Sequence, residues 1–184
     1  MIRETANALV ACVLSFVICA VAYPAVVWGI GQLLFPHQAE GSLIYGGDRT
    51  LLGSELIAQP FSSDRYFFPR PSAVDYKADA TGGSNLGTKN PDLRKKIEER
   101  ASALGATPAH PAPSDLVMAS GGGVDPDISP EAARFQVPRV AAARGISVEK
   151  INTLIDTHTE TSGAILGAPP RVNVLKLNLA LDRI

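Results

Sequence analysis

The sequence predicts a mixed α/β (α+β) soluble domain carried on a single N-terminal transmembrane helix. Three observations lead there. No charged side chain lies between Glu4 and His37, and the interval is mostly Ala, Val, Ile, Leu, Cys and Phe. Every later stretch of that length carries several charges, so one span is expected. Beyond it, short strand-like runs alternate with capped helical patterns, and no internal repeat is visible. A helix of about 20 apolar residues crosses a bilayer core of about 30 Å, and the run from Ala6 to Phe35 exceeds that even with tilt. The expected organisation is a cytoplasmic N-terminus over 1–5, a transmembrane helix over 6–35 and an extracytoplasmic domain over 36–184.

The part from Gly41 onwards suits one domain with one hydrophobic core. Its charges balance: of 17 basic and 18 acidic side chains in the chain, the first forty residues hold only Arg3, Glu4 and Glu40. A nucleic-acid binder carries a basic excess or stripe, so that class is disfavoured. Both cysteines, Cys12 and Cys19, lie inside the apolar run, which leaves the body without disulfides or thiolate metal ligands.

Arg3 and the free amine precede the span, whereas the next basic residue after it is Arg49. The positive-inside bias therefore places the N-terminus in the cytoplasm and the body outside. A cleavable signal peptide is the alternative, since Ala20-Val21-Ala22 matches an A-x-A cleavage pattern. Against it, Pro24 follows the cut closely and the apolar run continues to Leu34. A lipoprotein box ending at Cys12 has too little apolar chain before it. Small residues at Ala11, Ser15, Cys19, Ala22, Ala25 and Gly29 recur near helical spacing, the kind of stripe along which helices associate in lipid. Pro24 removes a backbone donor and is expected to kink the helix.

In the body, Leu51 to Ile57 reads as a strand ending at Gln59-Pro60. Tyr66-Phe67-Phe68-Pro69-Arg70-Pro71 sets three aromatics among two prolines, an ordered extended segment. Thr81 to Gly87 is a glycine-rich turn, after which Asn90 caps and Pro91 opens a helix with Leu93, Ile97, Ala101 and Leu104 on one face, ending at Gly105. Lys95 and Glu99 form an i,i+4 pair on its solvated side. Thr107 to Ser114, with three prolines, is a surface connection. Asp115 to Ser120 reads as a short apolar strand leading into Gly121-Gly122-Gly123. Ser129-Pro130-Glu131 starts a helix that runs to Arg144 and is interrupted by Pro138. Ser147 caps another, with Val148, Ile151, Leu154, Ile155 and His158 inward. Val172 to Leu181 reads as a strand passing into a short helical turn.

Candidate chemistry is sparse. Gly82-x4-Gly87 followed by Thr88-Lys89 resembles a phosphate loop with its last residues out of order, since a P-loop needs Lys directly after the second glycine. Backbone amides at Gly82, Gly83, Ser84 and Asn85, and at Gly121, Gly122 and Gly123, remain candidates for an anion nest, with a plain turn as the alternative. Asp125 and Asp127 form a carboxylate pair at a helix start, where capping is the competing role. His37, His110 and His158 show no ligand spacing, and neither a G-x-S-x-G elbow nor a Cys/His pair can be assembled. A self-contained enzyme is not expected, nor a metal site.

Longer strings are more specific. Gly53-Ser54-Glu55-Leu56-Ile57-Ala58-Gln59-Pro60-Phe61, then Tyr66-Phe67 with Arg70-Pro71-Ser72-Ala73, then Gly82-Gly83-Ser84-Asn85-Leu86-Gly87 with Asn90-Pro91, resemble the C subunit of the bacterial Kdp potassium-transporting ATPase. The second half agrees: Asp115-Leu116-Val117, Ala119-Ser120-Gly121, Asp125, Ser129-Pro130, Gln136, Arg139-Val140-Ala141, Ala143-Arg144-Gly145, Val172-Asn173-Val174-Leu175 and Leu177-Asn178-Leu179-Ala180-Leu181-Asp182 follow that family's order. Gly122 stands where the family usually has Ser, and Asp127 where it often has His or Asn.

The resemblance implies a non-catalytic subunit of a high-affinity potassium importer. Its partners would be a channel-like A subunit, a P-type ATPase B subunit that hydrolyses ATP, and a small F subunit, all in the inner membrane. It implies no intrinsic cofactor, with ATP entering only through the complex. The family is described as a catalytic chaperone raising the ATP affinity of the B subunit, a description at odds with a body outside the membrane. Arg70, Asn85, Asn90, Asp125, Gln136, Arg139, Asn173 and Asn178 are then fold-defining hydrogen-bonders or docking contacts. A free exported binding protein, released at Ala22, is the reading from another class.

Overall fold

The computed structural model describes residues 2–163 and 166–184. Met1, whose amine enters the charge argument, lies outside the described residues. The chain divides into two compact units, one running to Ile44 and the other from Tyr45 to Ile184.

The first unit is dominated by one helix, Ile2–Leu34, long and apolar enough to cross a membrane. It consists of α1 (Ile2–Phe16), a π-helical segment Val17–Ala22, and α2 (Tyr23–Leu34), and none of these residues is buried. Leu9, Val13, Ile18, Val26 and Leu33 all face outward, an arrangement tolerated in lipid and costly in water. The irregularity expected from Pro24 appears one turn earlier. Tyr23 donates its N–H to Ile18 O, five residues back. Pro24 has no N–H, and its ring crowds the carbonyl four residues before it, so the chain widens to a π turn there. A short helix, α3 (Pro36–Ala39), follows.

β1 (Leu43–Tyr45), which spans the division at Ile44, and β2 (Leu51–Ser54) flank a turn closed by Gly46 N–H to Thr50 O at 2.8 Å. The strand expected to reach Ile57 stops at Ser54. There the Ser54 hydroxyl accepts from Leu56 N–H at 3.1 Å and its carbonyl from Ile57 N–H at 3.3 Å, a local turn that outcompetes pairing. α4 (Pro91–Ala103) begins as expected, with the Asn90 side chain accepting from Asp92 N–H at 2.9 Å. Its apolar face is only half-buried, and the Lys95–Glu99 pair stands at 3.9 Å on the solvated side.

The apolar strand expected over Asp115 to Ser120 is instead a helical turn, α5 (Ser114–Val117), with Leu116 and Val117 buried. Four residues are too few to show a period, and Asp115 is spent at the helix start, where its carboxylate accepts from Ser129 N–H at 2.9 Å. β3 (Asp127–Ile128), β4 (Thr159–Glu160) and β5 (Arg171–Asn173) form an antiparallel sheet in the order β3-β5-β4, with Val172 opposite both Ile128 and Thr159.

α6 (Pro130–Arg144) is capped by Ser129, whose hydroxyl accepts from Ala132 N–H at 3.1 Å, and ends at Gly145, left-handed with φ 68°. Pro138 does not interrupt it. That residue lies on the exposed face, where water can satisfy the carbonyl it orphans, while Ala132, Ala133, Gln136, Val137, Val140 and Ala141 face inward. α7 (Val148–Thr157) buries Ile151 and Ile155, but Val148 is exposed rather than inward. α8 (Val174–Leu181) replaces most of the strand expected from Val172 onwards. The alternation Val-Asn-Val-Leu-Lys-Leu-Asn-Leu imitates a strand, yet Val174, Leu177, Asn178 and Leu181 are buried at helical spacing. The core lies where α6, α7 and α8 meet the small sheet, with Phe67 from the irregular segment fully buried among them.

Candidate functional site

Apart from Asn90, the polar residues singled out in the sequence fall into three constructions. The first is a carboxamide clamp. Asn178 of α8 donates to Phe67 O at 2.9 Å and accepts from Phe67 N–H at 2.8 Å. Gln136 of α6 does the same for Phe68, at 2.8 Å to its N–H and 3.2 Å to its carbonyl. Successive peptide units of an extended, proline-bound segment thus gain from side chains the pairing a sheet would supply. Arg139 extends the clamp, donating to Gln136 Oε1 and Asp64 O at 2.8 Å each while its guanidinium lies 3.9 Å from the Phe68 ring centre. Half-burial holds its pKa below the usual arginine value, with the Asp64 carboxylate opposing.

Beside it stands a lock that the sequence reading did not single out. Arg144 donates to Arg65 O at 2.6 Å, Leu181 O at 3.1 Å and Asp182 Oδ1 at 2.7 Å, and lies over the Tyr66 ring. Tyr66 donates its hydroxyl to Asp182 Oδ2 at 3.1 Å. The strings Ala143-Arg144-Gly145 and Leu181-Asp182 were visible, but nothing in them says that they meet.

The second construction joins the two glycine turns, far apart in sequence. Gly82 N–H donates to Gly122 O at 3.0 Å. A Cβ on Gly83 would stand 2.8 Å from Gly121 O, and one on Gly123 would stand 2.8 Å from Gly82 O and 2.5 Å from Val74 Cγ2. Two backbones touch here, so glycine is required for packing. At Gly122 a side chain would meet open space. Asn85 adopts a left-handed conformation with φ 52°. Asn90 stands apart as the α4 cap.

The third is a cleft of about 410 Å³ where Arg70, Asp115, Asp125, Asp127, Ser129 and Arg171 stand beside the apolar side chains of Ile128, Pro169 and Pro170. Arg70 pairs with Asp125 at 3.1 Å, and Arg171 pairs with Asp127 and with Glu160 at 3.3 Å each. Burial raises the Asp127 pKa despite the Arg171 charge and the Asn173 hydrogen bond, with the Asp125 and Glu160 carboxylates pushing the same way. Asn173 caps α8, accepting from Lys176 N–H at 3.1 Å, and donates to Glu55 O at 2.8 Å. Lys176 pairs closely with Glu55 and lies 3.7 Å from Glu160. The Glu55 hydrogen bond is the main cause of its raised pKa. Among the described residues no group of three His, Cys, Asp or Glu side chains could hold a metal ion.

The family model for the c chain of K+-transporting ATPases, KdpC, matches residues 5–183. The chain belongs to this family. Among its KdpC relatives, a protein of Citrifermentans bemidjiense named potassium-transporting ATPase KdpC subunit is 50% identical over 184 residues, 98% of this chain and 97% of the relative. Proteins of the same name from Geobacter metallireducens and Parvibaculum lavamentivorans are 51% and 46% identical, each covering 91% of the relative's length. The KdpC match takes in the apolar helix as well as the domain. On that helix Ala11, Ser15, Cys19, Ala22 and Ala25 are exposed and Gly29 is half-buried. The π segment inserts about one extra residue, which turns the later half of the small-residue stripe by about 100°, so Ala11 and Ser15 do not share a line with Ala22, Ala25 and Gly29.

Proposed function

We propose that this chain is a non-catalytic subunit of an ATP-driven potassium importer, anchored in the inner membrane by its long apolar helix Ile2–Leu34 and supporting assembly and potassium uptake. The carrying observation is the family match over 5–183, which spans anchor and domain together. The named relatives are subunits of a potassium-transporting ATPase. On this reading the chain works with a channel-like A subunit, a P-type B subunit in which ATP hydrolysis resides, and a small F subunit. The charge bias around Arg3 puts the domain on the outer side, over the mouth of the A subunit. Much of the polar motif is committed to the fold: Gln136, Arg139, Asn173 and Asn178 all bind backbone groups of distant segments.

A second reading, a nucleotide-binding chaperone that raises the ATP affinity of the B subunit, draws on the meeting of Gly82–Gly83 with Gly121–Gly123. It requires a cytoplasmic domain. The two readings part on one measurement. With Cys12 and Cys19 replaced, Ser62→Cys places a thiol at an exposed position, and a membrane-impermeant reagent labels it in intact spheroplasts if the domain is outside. Labelling only after lysis would sink the outer placement. Purification in mild detergent is expected to bring the partner subunits with the chain, and a mature N-terminus at Tyr23 would refute the anchor.

A further inference from the structure

A cavity of about 290 Å³ lies between α4, α5 and the segment 61–76, near the lower end of the ~300–1,000 Å³ typical of ligand pockets. Its walls are largely apolar: Phe61 and Phe68 from the segment, Leu104 from α4 and buried Leu116 from α5. α4, which buries no residue of its own, borders this space without filling it. Among the described residues that line the cavity, Arg100 is the one ionised side chain. Tyr76 completes the wall from a costly backbone conformation. Asp75 and Tyr76 have φ of 53° and 58°, a left-handed region that a bulky side chain rarely adopts. The Ser72 hydroxyl accepts from Tyr76 N–H at 2.9 Å, and the Tyr76 hydroxyl donates to Arg70 O at 3.1 Å, so the residue is fixed at both ends. Strain held in this way collects at ligand sites. Burial raises the Tyr76 pKa while the Arg100 charge opposes it, which puts the guanidinium within electrostatic reach of the ring.

We propose that this cavity binds a small organic anion, an aromatic or short-chain monocarboxylate, with its apolar body among Phe61, Phe68 and Leu104 and its carboxylate on Arg100. The site lies wholly within the second unit and goes beyond the subunit role. Two observations choose the occupant. The first is charge. Arg100 donates through Nη1 to Val117 O at 2.8 Å, which anchors the guanidinium. Its sequence neighbour Glu99 pairs instead with Lys95, and among the described residues no carboxylate pairs with Arg100. A lone guanidinium at the edge of an apolar cavity matches one carboxylate, which its planar fork can bind through two parallel hydrogen bonds. The second is the backbone of the segment. Phe67 and Phe68 give both backbone groups to Asn178 and Gln136, Arg70 O accepts from Tyr76, and Pro71 O accepts from Ser120 N–H at 3.0 Å. Pro69 and Pro71 carry no N–H. A peptide adding itself as a strand would find no open row of donors and acceptors there, so recognition falls to an apolar body and one charge, the chemistry of a small free acid.

The test is calorimetric titration with 3-phenylpropionate and its uncharged analogue 3-phenylpropanamide. The full-length chain, alone and with the subunits that co-purify with it, is held in phosphatidylcholine nanodiscs so that no detergent competes for the cavity, and empty nanodiscs give the lipid background. We expect one acid per chain, bound about ten-fold or more tightly than the amide, because the charge-assisted contact with Arg100 is lost in the amide. Arg100→Gln should weaken the acid to the level of the amide, whereas Lys95→Gln, on the solvated side of α4, should leave it unchanged. Ala103→Trp fills the cavity from an exposed position on α4 and should abolish binding of both compounds with far-UV circular dichroism unchanged. The comparison of acid with amide needs no variant, so it decides the matter even where Arg100→Gln does not fold. Equal affinity for acid and amide overturns the proposal, as does the absence of saturable binding at millimolar concentrations. Binding that survives Ala103→Trp places the acid elsewhere and also overturns it. Binding to the chain alone but not to the assembly overturns the free-ligand site, a partner side chain then filling the cavity.

Discussion

Replacing Asn178 by alanine tests whether the carboxamide clamp holds the Phe67 segment in place. Asn178 is 1% exposed, and its side chain satisfies both the N–H and the carbonyl of Phe67, itself fully buried. Truncation orphans both groups, at about 1–3 kcal/mol each. A loss of about 3–4 kcal/mol is expected, a large share of the ~5–15 kcal/mol by which a domain of this size is stable. Gln136→Ala should cost a similar amount, because it frees the neighbouring peptide unit at Phe68. The two clamps grip one segment, so the double variant should lose less than the sum of the singles by ~1 kcal/mol or more, where independent sites add within ~0.3–0.5 kcal/mol. Urea unfolding of the full chain in detergent, followed by far-UV circular dichroism, reads these differences as midpoint shifts at constant slope. A cost below about 1 kcal/mol for Asn178→Ala, or strict additivity, would refute the clamp.

Gly123→Ala must place a methyl 2.5 Å from Val74 Cγ2 and 2.8 Å from Gly82 O at φ 75°, and should destabilise by more than about 2 kcal/mol. Gly122→Ser enters open space and should stay within about 0.5 kcal/mol; equal midpoints for the two variants would contradict the backbone contact. Asp127 has a folded-state pKa raised above its ordinary 3.8 by burial, so between 3.8 and the raised value the folded state binds more protons than the unfolded one. Its contribution is greatest below 3.8 and is lost as pH rises through the folded value. Asp127→Asn should flatten that part of the stability–pH curve, and an unchanged slope would count against the burial argument.

Legibility in the sequence followed the range of the interactions. Helix starts were readable because a cap is local: Asn90, Ser129 and Ser147 each accept from an N–H two or three residues ahead. The strand readings failed where local and long-range signals conflict. Asp115–Ser120 is too short for a period to show. In Val172–Leu181 β-branched residues and alternation masked a helical face that only burial reveals. The candidate polar residues were legible as a set, but not their partners. Asn178 reaches a backbone 111 residues away and Asn173 one 118 away, and no spacing rule connects such positions.

By itself the sequence determined the long apolar stretch, the confinement of both cysteines to it, the helix starts and the family resemblance. Each of these rests on composition, on contacts within one turn or on collinear strings. Tertiary structure alone decided that the two glycine turns meet backbone to backbone, that Gln136 and Asn178 stand in for a missing strand, and that Pro138 sits harmlessly on a solvated face. Those outcomes depend on which distant surfaces are brought within 3 Å of each other, and a linear order of residues carries no record of that distance.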